Sequence, residues 1–444
     1  MTTREIKNRL PISESEPSGM DCFGDDREGM NDFAKYYNNT HLSDINIIVG
    51  DDTYPAHKLI LAKSSDVFDR MLSDRWNGDK KDLEIVEDVA CETVFNAFLR
   101  FLYCNHVVLH QENCLPLLIL ADKYNIVNLK TVCIKYAMNE ILPQLPLREL
   151  FDVWFSYASK AFHTNLIRAC ILSIAKEFET LLTEEWDKSW LNLHRDQLME
   201  ILRSNQIVVT NEYKIWEGVN RWLQAPNHPE RRGPTASPFM AQLLPLIRFA
   251  FMTADELSQV ERSPVAENYP KLFHPIILLA YKWQALPLSS RASQKEFSSN
   301  HFVLRKYTDT RWDKLLSVSI QQLYVNGIDH AFIFSTRSCT FPLQTWKWTV
   351  KICGSSYNPQ DNAFQAFLVA EDIDSPRSVE YMISLVDEKK VLKSCVGKKN
   401  FTKTRYSAEI DFDKRVEIGD LLAEDSSYVV DGKLHLQLVI KPIE

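Results

Sequence analysis

The chain has 444 residues, 45% of them hydrophobic, and a formal net charge of −8. That length suits two to four domains rather than one, and the acidic balance excludes a global positive field that would recruit nucleic acid or an anionic membrane. No apolar run reaches the length of a membrane span, and the polar opening "MTTREIKNRLPISESEP" lacks the apolar centre of a secretion signal, so a cytoplasmic or nuclear location is expected.

Residues 1–29 are polar, acidic and broken by Pro and Gly, and are expected to be disordered. From Met30 the pattern tightens: Met30, Phe33 and Tyr37 recur at helical spacing and mark a short amphipathic helix. "SDINIIVGDDTYPAH" reads as two strands, Asp44 to Val49 and Thr53 to His57, around a turn at Gly50. Ser64 or Ser65 then caps a helix with Val67, Phe68, Met71 and Leu72 on its apolar face. "DLEIVED" is a third strand, and Val94, Phe95, Phe98, Leu99 and Leu102 line one side of a further helix. Helices around Glu112 to Tyr124 and Ile126 to Asn139 complete a small α/β unit over 30–141.

Strand signals fade over 142–285, where helical stripes such as Trp216, Val219 and Trp222 predict an all-helical domain. Its stretch "APNHPERRGPTASP" is so rich in proline that an exposed loop is expected. A Ser-rich segment, 286–299, reads as a linker. Over 300–444 the period switches to two: Trp346, Trp348, Val350 and Ile352 alternate with polar residues, as do Ala408, Ile410 and Phe412, and Leu434, Leu436 and Leu438. Such alternation predicts an antiparallel β-sandwich of six to eight strands, each with one face buried. The fold class is therefore multidomain α+β.

Chemical motifs are sparse. The nine cysteines form no CxxC pair and sit mostly in apolar runs, as reduced buried thiols do. There is no HExxH, GxSxG or GxGxxG, and the spaced glycines at Gly19 and Gly24 run into Asp25 and Asp26, which would repel phosphate. His106 and His110 are four apart in a strand-like "HVVLH", which puts them out of register for one metal. No metal site, no cofactor and no enzymatic activity are expected.

"LSDINIIVGDDTYPAHKLILAKSSDVFDRML", "VFNAFLRFLYCNHVVL" and "LLILADKYNIVNLK" together resemble the BTB/POZ domain. The resemblance implies a homodimer, with Met30, Phe33 and Tyr37 packing on a second copy and Asp44 pairing with Lys58 near the seam. It makes His57 a packed structural residue rather than a catalyst. "LHRDQLMEILRSNQIVVTNEYKIWEGVNRWL" and "LLPLIRFAFMTADEL" resemble a BACK domain, and "WKWTVKI" with "SSYVVDGKLHLQLVI" a TRAF-like or MATH-type sandwich. This order implies an adaptor between cullin-3 and a protein substrate. The family's cullin contact, a hydrophobic residue, any residue and a glutamate, falls on Trp76, Asn77 and Gly78, with Leu72 and Tyr124 as further candidates. Gly78 in place of glutamate removes a charge-assisted hydrogen bond worth roughly 1.5–3 kcal/mol, so weakened binding is expected. Phe412 falls where MATH domains read peptides, although plain core packing serves it equally well. Two other classes remain open on the residues alone: a BTB scaffold or transcription-associated regulator without ligase function, and a hydrolase or transferase within the sandwich.

Overall fold

The computed structural model describes residues 32–73, 81–338, 344–354, 363–412 and 415–443. Expectations placed on 1–29, Met30, Trp76, Asn77 and Gly78 lie outside these. The chain divides into two compact units between Leu145 and Pro146.

In the first unit, β1 (Ile45–Val49) and β2 (Asp52–Ala56) form the expected hairpin, and β3 (Asp82–Ile85) adds parallel to β1. Ile45, Ile47 and Val49 alternate inward as a half-buried strand requires. Helices α1 (Lys58–Ser64), α2 (Asp66–Met71), α3 (Val89–Glu92), α4 (Phe95–Cys104), α5 (Gln111–Lys123) and α6 (Val127–Tyr136) surround the sheet. Ser65, rather than Ser64, caps α2 by accepting from Phe68 N at 3.1 Å. Its hydroxyl donates to the Tyr124 carbonyl at 2.6 Å. Asn105 ends α4 in the left-handed region, a conformation its short polar side chain tolerates. "HVVLH" forms no strand; it is an extended approach to α5, and His110 pairs with Glu112 at 2.8 Å.

The second unit, from Pro146, opens with helices that include α7 (Thr164–Ile174) and α8 (Glu212–Leu223). Asn211 caps α8, and Ile215, Trp216, Val219 and Trp222 are buried along it. Gly218 has a steric reason: a Cβ there would lie 2.5 Å from the Leu182 side chain, and its carbonyl accepts the Trp190 indole at 2.9 Å. The proline-rich "APNHPERRGPTASP" is not wholly exposed. Arg231 is buried, stacks 3.6 Å over Trp222 and donates to the carbonyls of Leu191, Leu193 and Trp222.

Following α9 (Pro270–Ala285), the expected linker is instead folded structure. Helix α10 (Leu288–Ser293) buries Leu288 and Arg291, and Phe297 is buried in the next turn. Arg291 lies 4.8 Å over Trp283 and donates to carbonyls at the end of α9. Serine content misled here because the structural residues between the serines are few.

Short strands β4 (Val208–Val209) and β5 (Lys306–Tyr307) pair parallel. The sandwich then comprises β6 (Asp313–Ser319), β7 (His330–Arg337), β8 (Thr345–Ile352), β9 (Ala366–Glu371), β10 (Arg377–Val386), β11 (Val391–Phe401), β12 (Ser407–Glu409), β13 (Val429–Val430) and β14 (Lys433–Pro442). One sheet has the order β12-β9-β8-β7; in the other β11-β10-β14 is extended by β13 and β6, which both pair β14. The strand count exceeds expectation through the short β12 and β13. Trp348, Val350, Leu434, Leu436 and Leu438 face inward as their alternation predicts.

The second face of the larger sheet departs from expectation. His435 and Gln437, read as outward polar positions, are buried. The Gln437 amide donates to the Phe302 carbonyl and accepts from Leu304 N, both at 2.8 Å, and the Glu380 carboxylate accepts from Leu288 N at 3.3 Å. The sheet is thus covered on both sides, by its partner sheet and by residues 288–307. Gln437, His435 and one oxygen of Glu380 are hydrogen-bonded there, which offsets the cost of burying them, while Glu380 Oε1 has no hydrogen-bond partner among the described residues.

Candidate protein-interaction surfaces

Residues 32–34 form a single helical turn that presents Phe33, 44% exposed, with Lys63 Nζ 5.4 Å above its ring. Leu59, four residues before Lys63 on α1, shares that face and is 80% exposed. Both are large apolar side chains left exposed; Leu59 escapes sequence reasoning because it sits in the apolar run Leu59-Ile60-Leu61-Ala62, which reads as core. Tyr37 belongs elsewhere: its hydroxyl donates to the Asn96 carbonyl at 2.9 Å and its ring meets Tyr103 edge-on. Burial raises its pKa.

Asp44 does not pair with the Lys58 ammonium. Its carboxylate accepts from the Lys58 main-chain N at 2.8 Å, capping the start of α1, where His57 supplies no side-chain cap. His57 is buried between Tyr103 Oη, 2.9 Å from Nδ1, and the His41 carbonyl, 2.9 Å from Nε2. The ring thus ties the loop before β1, through Nε2, to α4, through Nδ1, which is the structural role read for this residue.

Of the cullin candidates, Tyr124 is 1% exposed, stacks on Phe68 at 4.6 Å and donates to Glu87 at 2.6 Å, and burial with that carboxylate raises its pKa. Leu72 is buried as well. These two are core residues, which leaves them no face for a partner. Their sequence positions follow the family pattern because the pattern also records packing.

In the sandwich, Phe412 is 6% exposed and meets Phe364 within the core. Its burial agrees with core packing, the role given equal weight with peptide reading, and leaves its ring little face for a peptide. Beside β13 and β14 lies a cavity of about 530 Å³ lined by residues including Leu421, Glu424, Asp431 and Lys433. Asp431 is engaged there by Arg168 of α7 at 2.8 Å. Among the described residues no group of three or more His, Cys, Asp or Glu is placed to hold a metal ion.

One serine–histidine contact escaped sequence reasoning, since its members meet only across the β6–β14 ladder: Ser317 Oγ lies 2.7 Å from His435 Nδ1. Burial, followed by the charges of Lys306 and Lys433, pushes the imidazole down to about 4 against a smaller opposing effect of Asp431. A base that weak leaves the serine protonated at neutral pH. The shift has a consequence for stability. An unfolded histidine takes its proton near pH 6.5, while folded His435 refuses it until about pH 4. The unfolded chain therefore binds more protons in this window, so stability present above pH 6.5 is lost as pH falls towards 4, by up to ~3 kcal/mol. Urea midpoints at pH 7.5, 6 and 5 check this; His435→Gln is expected to flatten most of the slope, with His301, lowered by burial, supplying some of the rest. An unchanged slope in that variant would exclude His435 as its source.

Comparison with known proteins now bears on these surfaces. The family "BTB/POZ domain" matches residues 33–140, and "BTB And C-terminal Kelch" matches 153–262. The chain carries a BTB/POZ domain followed by a BACK domain, an arrangement that supports a protein-binding adaptor. It is similar to BTB/POZ domain-containing protein 17 of Xenopus tropicalis, 22% identical over 87% of this chain and 83% of the relative. Kelch-like protein 3 of Mus musculus is 25% identical over 56% of this chain and 40% of its own. Among solved structures, the BTB domain of zebrafish PATZ1 aligns at 21% identity, covering 26% of this chain and 96% of that one with a TM-score of 0.21.

Proposed function

We propose that the protein is a dimeric adaptor of a cullin-3 ubiquitin ligase, with its BTB and BACK domains engaging the cullin and its sandwich holding the substrate. The observation that carries this is the second unit: the BACK helices and the sandwich share one compact body, joined by buried charge and by a sheet covered on both faces. A partner gripped by the sandwich is then held at a fixed place relative to the BACK domain, as delivery to a ligase requires. The exposed Phe33 and Leu59 supply the dimer surface.

Light scattering of the full chain is expected to give twice the 51.5 kDa chain mass at micromolar concentration, and Phe33→Asp with Leu59→Asp to return the single-chain mass. Titration of the full chain into the cullin-3 N-terminal region is expected to show binding roughly tenfold to a hundredfold weaker than a glutamate-bearing adaptor, and Gly78→Glu to strengthen it. A dimer with no heat of cullin binding up to tens of micromolar would favour the scaffold reading.

A further inference from the structure

We infer that the open edge of β11 is a docking strand for an acidic, extended segment of a partner protein. In "KKVLKSCVGKKNFTKTRYSA", residues 389–408, every charged residue is basic, in a chain whose net charge is −8. Strand β11 occupies most of that stretch and is the outermost strand of the larger sheet, paired with β10 alone. Its opening half is covered: α10 packs on it, and Ser299 bridges Lys390. Beyond that, no strand among the described residues pairs with the far side of Val396–Phe401, whose alternate N–H and C=O groups point outward.

The charges along this open half are only partly neutralised from within. Lys398, its side chain 65% exposed, lies 4.0 Å from Glu380. Lys399 is turned to the Ser407 carbonyl and lies over the Phe401 ring. Lys403 and Arg405, in the exposed turn that follows, have no ion-pair partner among the described residues, and the neighbouring Tyr406 is 54% exposed. An extended segment added to this edge gains main-chain hydrogen bonds, and alternate carboxylates along it meet Lys398, Lys403 and Arg405, which favours acidic sequences and speeds their encounter. Lysine on an edge also serves to deter self-association. The two roles are compatible: the open run of residues 396–401 is as long as an ordinary strand, which leaves room for a segment of opposite charge where a second basic edge is repelled.

This deepens the adaptor reading by naming the class of segment the sandwich selects. The assay contains no cullin, so its failure leaves the cullin titration standing, and the reverse. The full chain is titrated with a fluorescent peptide of alternating Glu and Val, with a Lys-Val peptide and a single-stranded oligonucleotide as controls, while amide hydrogen exchange is followed at residues 396–401. Saturable binding of the Glu-Val peptide alone is expected, with slowed exchange at those amides and affinity at least tenfold lower in Lys398→Glu with Lys403→Glu and Arg405→Glu. Retained cooperative melting shows that this variant is folded. Absence of binding, equal binding of the oligonucleotide, or binding without slowed exchange at 396–401 each overturns the proposal and leaves the lysines as guards of the edge.

Discussion

Glu212→Ala is expected to lower the stability of the second unit by about 3–5 kcal/mol, the cost of leaving a buried charge without its partner. Glu212 is fully buried on α8. One carboxylate oxygen pairs with Arg305 and accepts from Arg248 N at 2.8 Å, while the other accepts from Tyr307 Oη at 2.6 Å. Arg305 also reaches the carbonyls of Leu202, Ser204 and Leu246, and Arg248 those of Val303 and, by side chain, Asn205. The carboxylate thus pairs with the guanidinium of Arg305 and with the main-chain N–H of Arg248, whose own guanidinium is pushed down to about 9 by burial and the neighbouring Arg305. Removing the carboxylate leaves Arg305 buried without its ion-pair partner, and the Arg248 main-chain N–H and the Tyr307 hydroxyl without their acceptor. Urea unfolding of the full chain, read by tryptophan fluorescence, measures the effect. A loss below about 1 kcal/mol would mean that water reaches the cluster readily.

The second large effect concerns separation of the sandwich from the helices. A fragment of residues 309–444 is expected to aggregate or to melt without cooperativity, while 146–444 melts sharply. In the intact unit Met382, Ser384 and Gln437 face Trp283 and Arg291 across a cavity of only about 160 Å³. Cutting before 309 uncovers that whole side of the sheet. It also strands the Gln437 amide, whose donor and acceptor are both satisfied by residues 302–304. Each uncovered apolar side chain costs roughly 1.5–3 kcal/mol, and a few of them equal the roughly 5–15 kcal/mol that holds a domain folded. Calorimetry and sedimentation of both fragments test this; a monomeric 309–444 with a sharp transition would refute it.

The two effects share a cause that also marks what the sequence discloses. Inward positions such as Trp348 or Leu436 were legible because alternation reports burial of one face directly. Burial of the opposite face was not, because Gln437, Ser384 and His435 are polar and their partners lie far along the chain. The same limit hid the joint at 286–299, where a few structural residues, Leu288, Arg291 and Phe297, do the packing among serines. Asp44 was recognised as important but assigned to the Lys58 ammonium rather than its main chain, since capping depends on backbone geometry that spacing does not encode. Tyr124 and Phe412 show the reverse case: both were singled out by family position, and both are interior. Exposed surfaces were the least legible, because Leu59 and the edge of β11 are defined by what fails to cover them.

Sharing one folded body also couples what the helices and the sandwich feel. Any ligand that binds the sandwich only when it is folded stabilises the BACK helices by the same free energy, about 2.7 kcal/mol at a hundred times its dissociation constant. Trp190, Trp216 and Trp222 are buried in those helices. They and the sandwich's own Trp346 and Trp348 are expected to change fluorescence in one transition on heating, so a thermal-shift screen can search for substrates without a label on either molecule.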